Sequence, residues 1–307
     1  MTTRDDESLI SLFKADLQTR DLSPATTIIQ YPRYIRELST FTGGNLLSVD
    51  EDILTRYLTH LRKRVGPTSI KRYFSVLSSF FEFLVWKKYI TSNPVLSVRK
   101  HYLKAYKSHN AAQRRQCISI DQAKKLVKSI LDPKERVILV LLLKTGMRRK
   151  ELSELDINNI DLPNLTIHIK PTRKRSNEIV YFDEETAFII GKWLKIREKE
   201  NKNKIDALFF NRFGNRLSVM AINRIVEKHA IANGLHDPSS PRLEDRFSPH
   251  SCRHWFTTVM IDAGCPRQYV QELRGDVGRE AIDGYYHLNP KTLKESYLAC
   301  IPKFGLM

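Results

Sequence analysis

Leu165-Thr166-Ile167-His168-Ile169 and Glu178-Ile179-Val180-Tyr181-Phe182 are the segments on which the fold class turns. The first alternates apolar and polar residues. The second follows it after a polar connector, Lys170 to Asn177. Two short β runs around such a connector read as a hairpin. It is the one clear β region in 307 residues, and helical spacing dominates on both sides of it. The expected class is therefore mostly α with a small β-hairpin or sheet, an α+β fold.

On the N-terminal side of the hairpin, the first module is expected to hold four helices. Leu9, Leu12, Phe13 and Leu17 recur at helical spacing. Ser23-Pro24 suits the start of a second helix carrying Ile28, Ile29, Tyr34, Ile35 and Leu38, with Gly43-Gly44 as its stop. Asp50 or Asp52 opens a third, and Gly66-Pro67-Thr68 separates it from a fourth running to about Tyr89. Asn93-Pro94 ends this module. From Lys100 to Gln116 the chain is basic and lacks hydrophobic period, as a linker would. Helices resume near Ile118. Beyond the hairpin they are expected at about 184–200, 218–233, 250–263, 266–273 and 290–300. This gives a helical module over 1–100, a basic linker over 101–117, and a second domain over 118–307 that ends in a tail helix.

Charge narrows the function. Fifty-one Lys and Arg face 34 Asp and Glu, a net charge of +17 spread along the whole length. A field of that sign attracts polyanions, above all nucleic acid. Lys100, Lys104, Lys107, Arg114 and Arg115 in the linker are candidate DNA-phosphate contacts, although an ordinary solvated connector reads the same way. Cys117, Cys252, Cys265 and Cys300 include no C-x-x-C pair, and no carboxylate cluster of the two-metal type occurs, so neither metal nor cofactor is expected. Met1 to Glu7 is polar and acidic, unlike a signal peptide, and the longest apolar run, Val137 to Leu143, is too short for a bilayer. A cytoplasmic, DNA-associated protein with no membrane partner is expected.

Four segments could carry chemistry. Thr145-Gly146-Met147-Arg148-Arg149-Lys150-Glu151-Leu152 leads from a Gly turn into a helix that starts with Arg; Arg148 could equally be a surface residue paired with Glu151. In Pro249-His250-Ser251-Cys252-Arg253, His250 and Arg253 share a helix face one turn apart, where imidazole and guanidinium could hold phosphate oxygens. The alternative is that His250 caps the helix and Arg253 faces solvent. Gly284-Tyr285-Tyr286-His287 offers a phenol that needs nearby cations to ionise near neutral pH. Lys170-Pro171-Thr172-Arg173-Lys174-Arg175-Ser176 is either a solvated basic turn or the carrier of a mobile acid.

In order and spacing these segments resemble the tyrosine recombinase family, which includes phage-type integrases and the Xer recombinases. Thr145 to Leu152 is similar to the family's first-arginine box, Ser248 to Arg253 to its H-x-x-R box, and Leu273-Arg274-Gly275-Asp276 to its Leu-x-Gly-His segment. Tyr285-Tyr286-His287 is similar to its Tyr-x-His end, nine residues after Asp276, and that gap selects Tyr285 over Tyr286. Arg274 to His287 resembles archaeal and archaeal-virus members. The resemblance covers nearly the whole chain. It implies a SAM-like core-binding module followed by the tyrosine-recombinase catalytic domain, with double-stranded DNA gripped between them and a tetramer assembled on two DNA sites. It also implies roles: Arg148, Arg253 and His250 on the scissile phosphate, Tyr285 as nucleophile, Glu151 supporting Arg148, and a hairpin lysine as acid. Counting back from Val180-Tyr181 reaches Arg173 or Lys174; Lys174 is chosen because lysine gives up its proton readily, with Lys170 as fallback. Asp276 departs from the family's His or Trp; a carboxylate repels phosphate and could instead orient Arg148, Arg253 or the turn before it. The C-terminal helix could dock on a neighbour or on its own domain. Rival readings are a type IB topoisomerase-like enzyme, a catalytically weakened DNA-binding member of the same fold, and an RNA-binding protein, for which the usual Gly-aromatic strand motifs are missing.

Overall fold

The computed structural model describes residues 5–20, 27–103, 116–170, 175, 177–240, 242–276 and 288–307. The chain divides into two compact units, 1–109 and 110–307.

The first unit contains α1 (Asp6–Thr19), α2 (Ile29–Thr42), α3 (Glu51–Arg62), α4 (Pro67–Trp86) and α5 (Pro94–Val98). Local chemistry sets the boundaries. Asp5 and Asp50 each accept a backbone N–H from the first turn of the helix they precede, both at 2.8 Å. Pro67 sits at the first position of α4, and Gly43 closes α2 in the left-handed conformation. Ile70, Phe74, Leu77, Phe80, Phe81 and Leu84 bury one face of α4, and Phe13 of α1 packs edge-on to Phe80 at 5.3 Å. The expected start of the second helix at Ser23-Pro24 lies outside the described residues. Asn93-Pro94 does not end the module. Asn93 caps α5, accepting from Val95 N–H at 3.0 Å, and Val95 and Val98 join the core. A single turn is too short to leave a readable period.

The second unit is built around α7 (Pro133–Thr145). Every residue from Val137 to Thr145 is buried, as expected of a helix apolar all round. It packs on α6 (Ile120–Lys128), α8 (Arg149–Glu154), α9 (Glu184–Glu200), α10 (Val219–Ala232) and α11 (Pro249–Asp262). The hairpin is present as β2 (Thr166–His168) and β3 (Ile179–Tyr181), with Ile167 opposite Val180. A third antiparallel strand, β1 (Ile160–Asp161), pairs with β2 and was not expected, because two residues carry no period. Then come α12 (Arg267–Arg274) and α13 (Pro290–Cys300).

The tail packs on its own unit. Lys144 is fully buried near the end of α7, and its ammonium pairs with Asp183 and with Glu185, the latter at 2.8 Å. Glu185 also accepts the backbone N–H groups of Phe304 at 2.7 Å and Gly305 at 2.6 Å. The Tyr297 hydroxyl donates to the Lys144 carbonyl at 3.0 Å. Among the described residues, no helix is long and apolar enough to cross a membrane.

Candidate active site

Gly146 is where the site begins. It ends α7 with φ +61°, and a Cβ there would lie 2.5 Å from the Phe256 ring, so the turn has room only for glycine. The turn delivers Arg148 to the start of α8. Glu151, one turn on, holds it twice: the Arg148 N–H donates to Oε2 at 2.6 Å and Nη1 to Oε1 at 2.9 Å.

The second arginine comes from α11. Ser248 is the N-cap, with its N–H bonded to Ser251 Oγ at 3.1 Å, and Pro249 is the first helical residue. This differs from a helix capped by His250 with Arg253 in solvent: Arg253 is 5% exposed and His250 is exposed. Arg253 Nη1 donates to the Gly146 carbonyl at 2.6 Å, tying α11 to the α7–α8 turn. Burial pushes the Arg253 guanidinium down to about 10 against the pull of Asp276, so it stays protonated at neutral pH.

Asp276 joins the two. Its Oδ1 accepts from Arg148 Nη2 at 3.0 Å and from Arg253 Nη2 at 2.5 Å, while Oδ2 pairs with Arg274 at 3.0 Å. One carboxylate oxygen thus sits where two guanidinium groups converge, although Arg148 and Arg253 are 105 residues apart. A fourth guanidinium, Arg175, lies beneath them. Its side chain is fully buried and donates to Glu151 Oε2 at 3.1 Å and to the Arg274 carbonyl at 3.4 Å. Beside this cluster, Arg148, His250 and Arg253 line one cavity of about 420 Å³ with Arg149, Lys150 and Ser248.

Tyr285, Lys174, Lys104, Lys107, Arg114 and Arg115 lie outside the described residues. Lys170 is held elsewhere, with its Nζ 3.3 Å from Asp156. Lys100 belongs to a π turn, Arg99–Leu103, and lines a basic cavity of about 620 Å³ on the first unit with Lys71, Ser75 and Arg99. Lys71, Arg99, Arg175 and Arg274 were not among the expected site residues. Each looks in sequence like one more surface cation in a chain that has 51. Among the described residues, no group of three or more His, Cys, Asp or Glu could hold a metal ion.

The arginines that converge on one carboxylate oxygen form a cluster able to hold an anion such as a phosphate group. Comparison with known proteins identifies the family. A profile of the phage integrase family matches residues 116–292, and that of the phage integrase N-terminal SAM-like domain matches residues 10–88. The tyrosine recombinase XerC of Haemophilus influenzae is 31% identical over 256 residues, covering 81% of this chain and 81% of that protein. XerC of Pelotomaculum thermopropionicum is 28% identical over 266 residues, covering 83% and 82%. The lambda integrase tetramer bound to a Holliday junction shares the fold at a TM-score of 0.70 and 16% identity, covering 92% of this chain and 77% of that one. The Tn1549 transposon integrase in complex with circular intermediate DNA does so at 0.67 and 19%, covering 94% and 98%. The chain belongs to the phage integrase family of tyrosine recombinases.

Proposed function

We propose that this chain breaks and rejoins DNA at specific sites through a 3′-phosphotyrosyl intermediate on Tyr285. The observation that carries the reading is the single oxygen position shared by Arg148 and Arg253 through Asp276 Oδ1. With Asp276 bridging them on one side, the same two guanidinium groups line the adjoining cavity with His250, where their other N–H groups can hold the non-bridging oxygens of a phosphodiester. The balance of charge fits as well. Four guanidiniums against the carboxylates of Glu151 and Asp276 leave two positive charges, matching the two negative charges of a five-coordinate phosphorane.

In the reaction, the Tyr285 phenolate oxygen bonds to phosphorus and the bond from phosphorus to O5′ breaks. The electron pair leaves on O5′, which takes a proton from Lys174. Arg148 and Arg253 hold the charge that develops on the non-bridging oxygens. His250, on the rim of the same cavity, adds a hydrogen bond and helps move a proton. The phosphodiester energy is kept in the phosphotyrosine, so the 5′-hydroxyl of a partner strand reverses the step without ATP. Tyr285 is nine residues beyond Asp276, a span of at most about 32 Å, and a chain of that length is long enough to bring the phenol to the cluster.

Double-stranded DNA is the substrate, and a tetramer on two sites is the working assembly. Both follow from family membership and from the fold shared with integrases on DNA. The place of action is the cytoplasm, on the genome. The test uses a duplex site selected by the wild-type chain from a random-sequence pool, nicked to trap the intermediate. Wild type and Tyr286→Phe should give a covalent protein–DNA band, and Tyr285→Phe should give none while still binding. A band from Tyr285→Phe sinks the assignment. Relaxation of a supercoiled plasmid without exchange between two sites would favour a topoisomerase.

A further inference from the structure

We propose that Arg175 is a positioning residue that holds Arg148, Arg253 and Asp276 in one register. This deepens the recombinase reading and rests on it. The contacts converge on one atom. Arg175 Nη1 donates to Glu151 Oε2 at 3.1 Å, the oxygen that also accepts the Arg148 N–H at 2.6 Å. The same Nη1 donates to the Arg274 carbonyl at 3.4 Å, which also accepts Arg253 Nη2 at 3.1 Å. Arg175 therefore touches the acceptors of both arginines and needs no contact with the phosphate itself.

It also sets the turn that presents Asp276. Gly275 follows α12 at φ +63°, and a Cβ there would lie 2.8 Å from both Cγ and Cζ of Arg175 and 2.7 Å from Asn177 Oδ1. Asn177 in turn donates to the Glu272 carbonyl. The backbone of the Arg274–Asp276 turn rests directly on the Arg175 side chain.

Plain packing does not account for a charged residue here. The Arg175 side chain is fully buried with the Arg148 cation close enough to oppose its charge, and its Nε and Nη2 are buried without a hydrogen-bond partner. Unsatisfied buried donors are costly, and a buried like charge adds repulsion. A methionine would fill the space and relieve both. What it would lack is a donor that reaches Glu151 and the Arg274 carbonyl together, and that is what the guanidinium supplies.

The experiment uses the full chain with Arg175→Met and Arg175→Lys, on the selected nicked duplex described above. One substrate carries the natural scissile phosphodiester. The other carries a methylphosphonate there, which removes the negative charge that the arginines neutralise. Covalent-complex formation is followed in a single turnover, with DNA affinity and melting temperature measured alongside. Arg175→Met should slow cleavage of the phosphodiester about 100-fold, the scale of a small misplacement of catalytic groups, with affinity nearly unchanged. The defect should shrink to under about tenfold on the methylphosphonate, because less charge remains to be stabilised. Arg175→Lys should fall between the two, and it supplies the same substrate comparison if the Met variant does not fold. Wild-type rates in both variants, or equal slowing on both substrates, overturn the role. No covalent band from wild type overturns the recombinase reading itself, whereas a wild-type band with an indifferent Arg175 overturns only this inference.

Discussion

Asp276 shows how one residue can look wrong in sequence and make sense in place. A carboxylate beside a phosphate is repulsive, yet here it bridges guanidiniums that would otherwise repel each other. Asp276→Ala removes the bridge and should slow covalent-complex formation by about tenfold to 100-fold, since small displacements of catalytic groups are expensive. Asp276→Asn keeps an acceptor oxygen and should stay within several-fold; a defect as large as that of alanine would mean that the charge matters more than the bridge. Gly146 is the second such residue. Gly146→Ala forces a side chain into the left-handed region and into the Phe256 ring, and should cost about 2–4 kcal/mol of stability, read as a shift in denaturant midpoint. Its carbonyl holds Arg253, so cleavage should fall as well. The sequence marks Gly146, Arg148 and Arg253 as candidates through their boxes. It gives no sign that Gly146 and Arg253 touch, because a contact across 107 residues leaves no local pattern.

At the scale of elements, helix ends were the most legible feature. Gly43, Gly66 with Pro67, Gly146 and Pro249 act within one turn, and that is where their signals lie. The shortest elements, β1 and α5, were not legible, since tertiary pairing rather than period makes them. The junction of α7, α9 and the tail was hidden for a different reason: Lys144, Asp183 and Glu185 form a buried ion cluster that only packing assembles. Burial pushes the Glu185 carboxyl up, but Lys144 and the Phe304 and Gly305 N–H groups outweigh it and hold the group down at about 2. A depressed folded value stabilises above the ordinary range near 4.5 and loses that contribution as pH falls toward 2. Unfolding free energy should therefore drop between about pH 4.5 and 2 more steeply in wild type than in Glu185→Gln, by denaturant titration. At neutral pH Glu185→Gln should be less stable by about 3 kcal/mol, because it leaves part of a buried ion cluster unpaired. Equal acid profiles would mean that Glu185 does not anchor the tail.

At the scale of the molecule, the net charge of +17 predicts DNA binding that weakens linearly in log K against log salt. Replacing Lys71, Arg99 and Lys100 with alanine should lower that slope by about 0.9 for each phosphate these cations neutralise. Tyr285→Phe should leave the slope unchanged, because a phenol carries no counterion. An unchanged slope in the triple variant would place the DNA on another face of the first unit. The order of residues alone was enough for the helical class, the hairpin, several helix ends, the basic field and the resemblance to the family, because each acts over a few residues or sums over many of them. Folding in three dimensions was needed to establish that Arg148, Arg253 and Arg274 share Asp276, that Arg175 lies buried beneath them, and that the tail packs on Glu185. Those contacts join positions up to 128 residues apart, and one guanidinium is set apart from the other cations by where it is buried, which composition does not record.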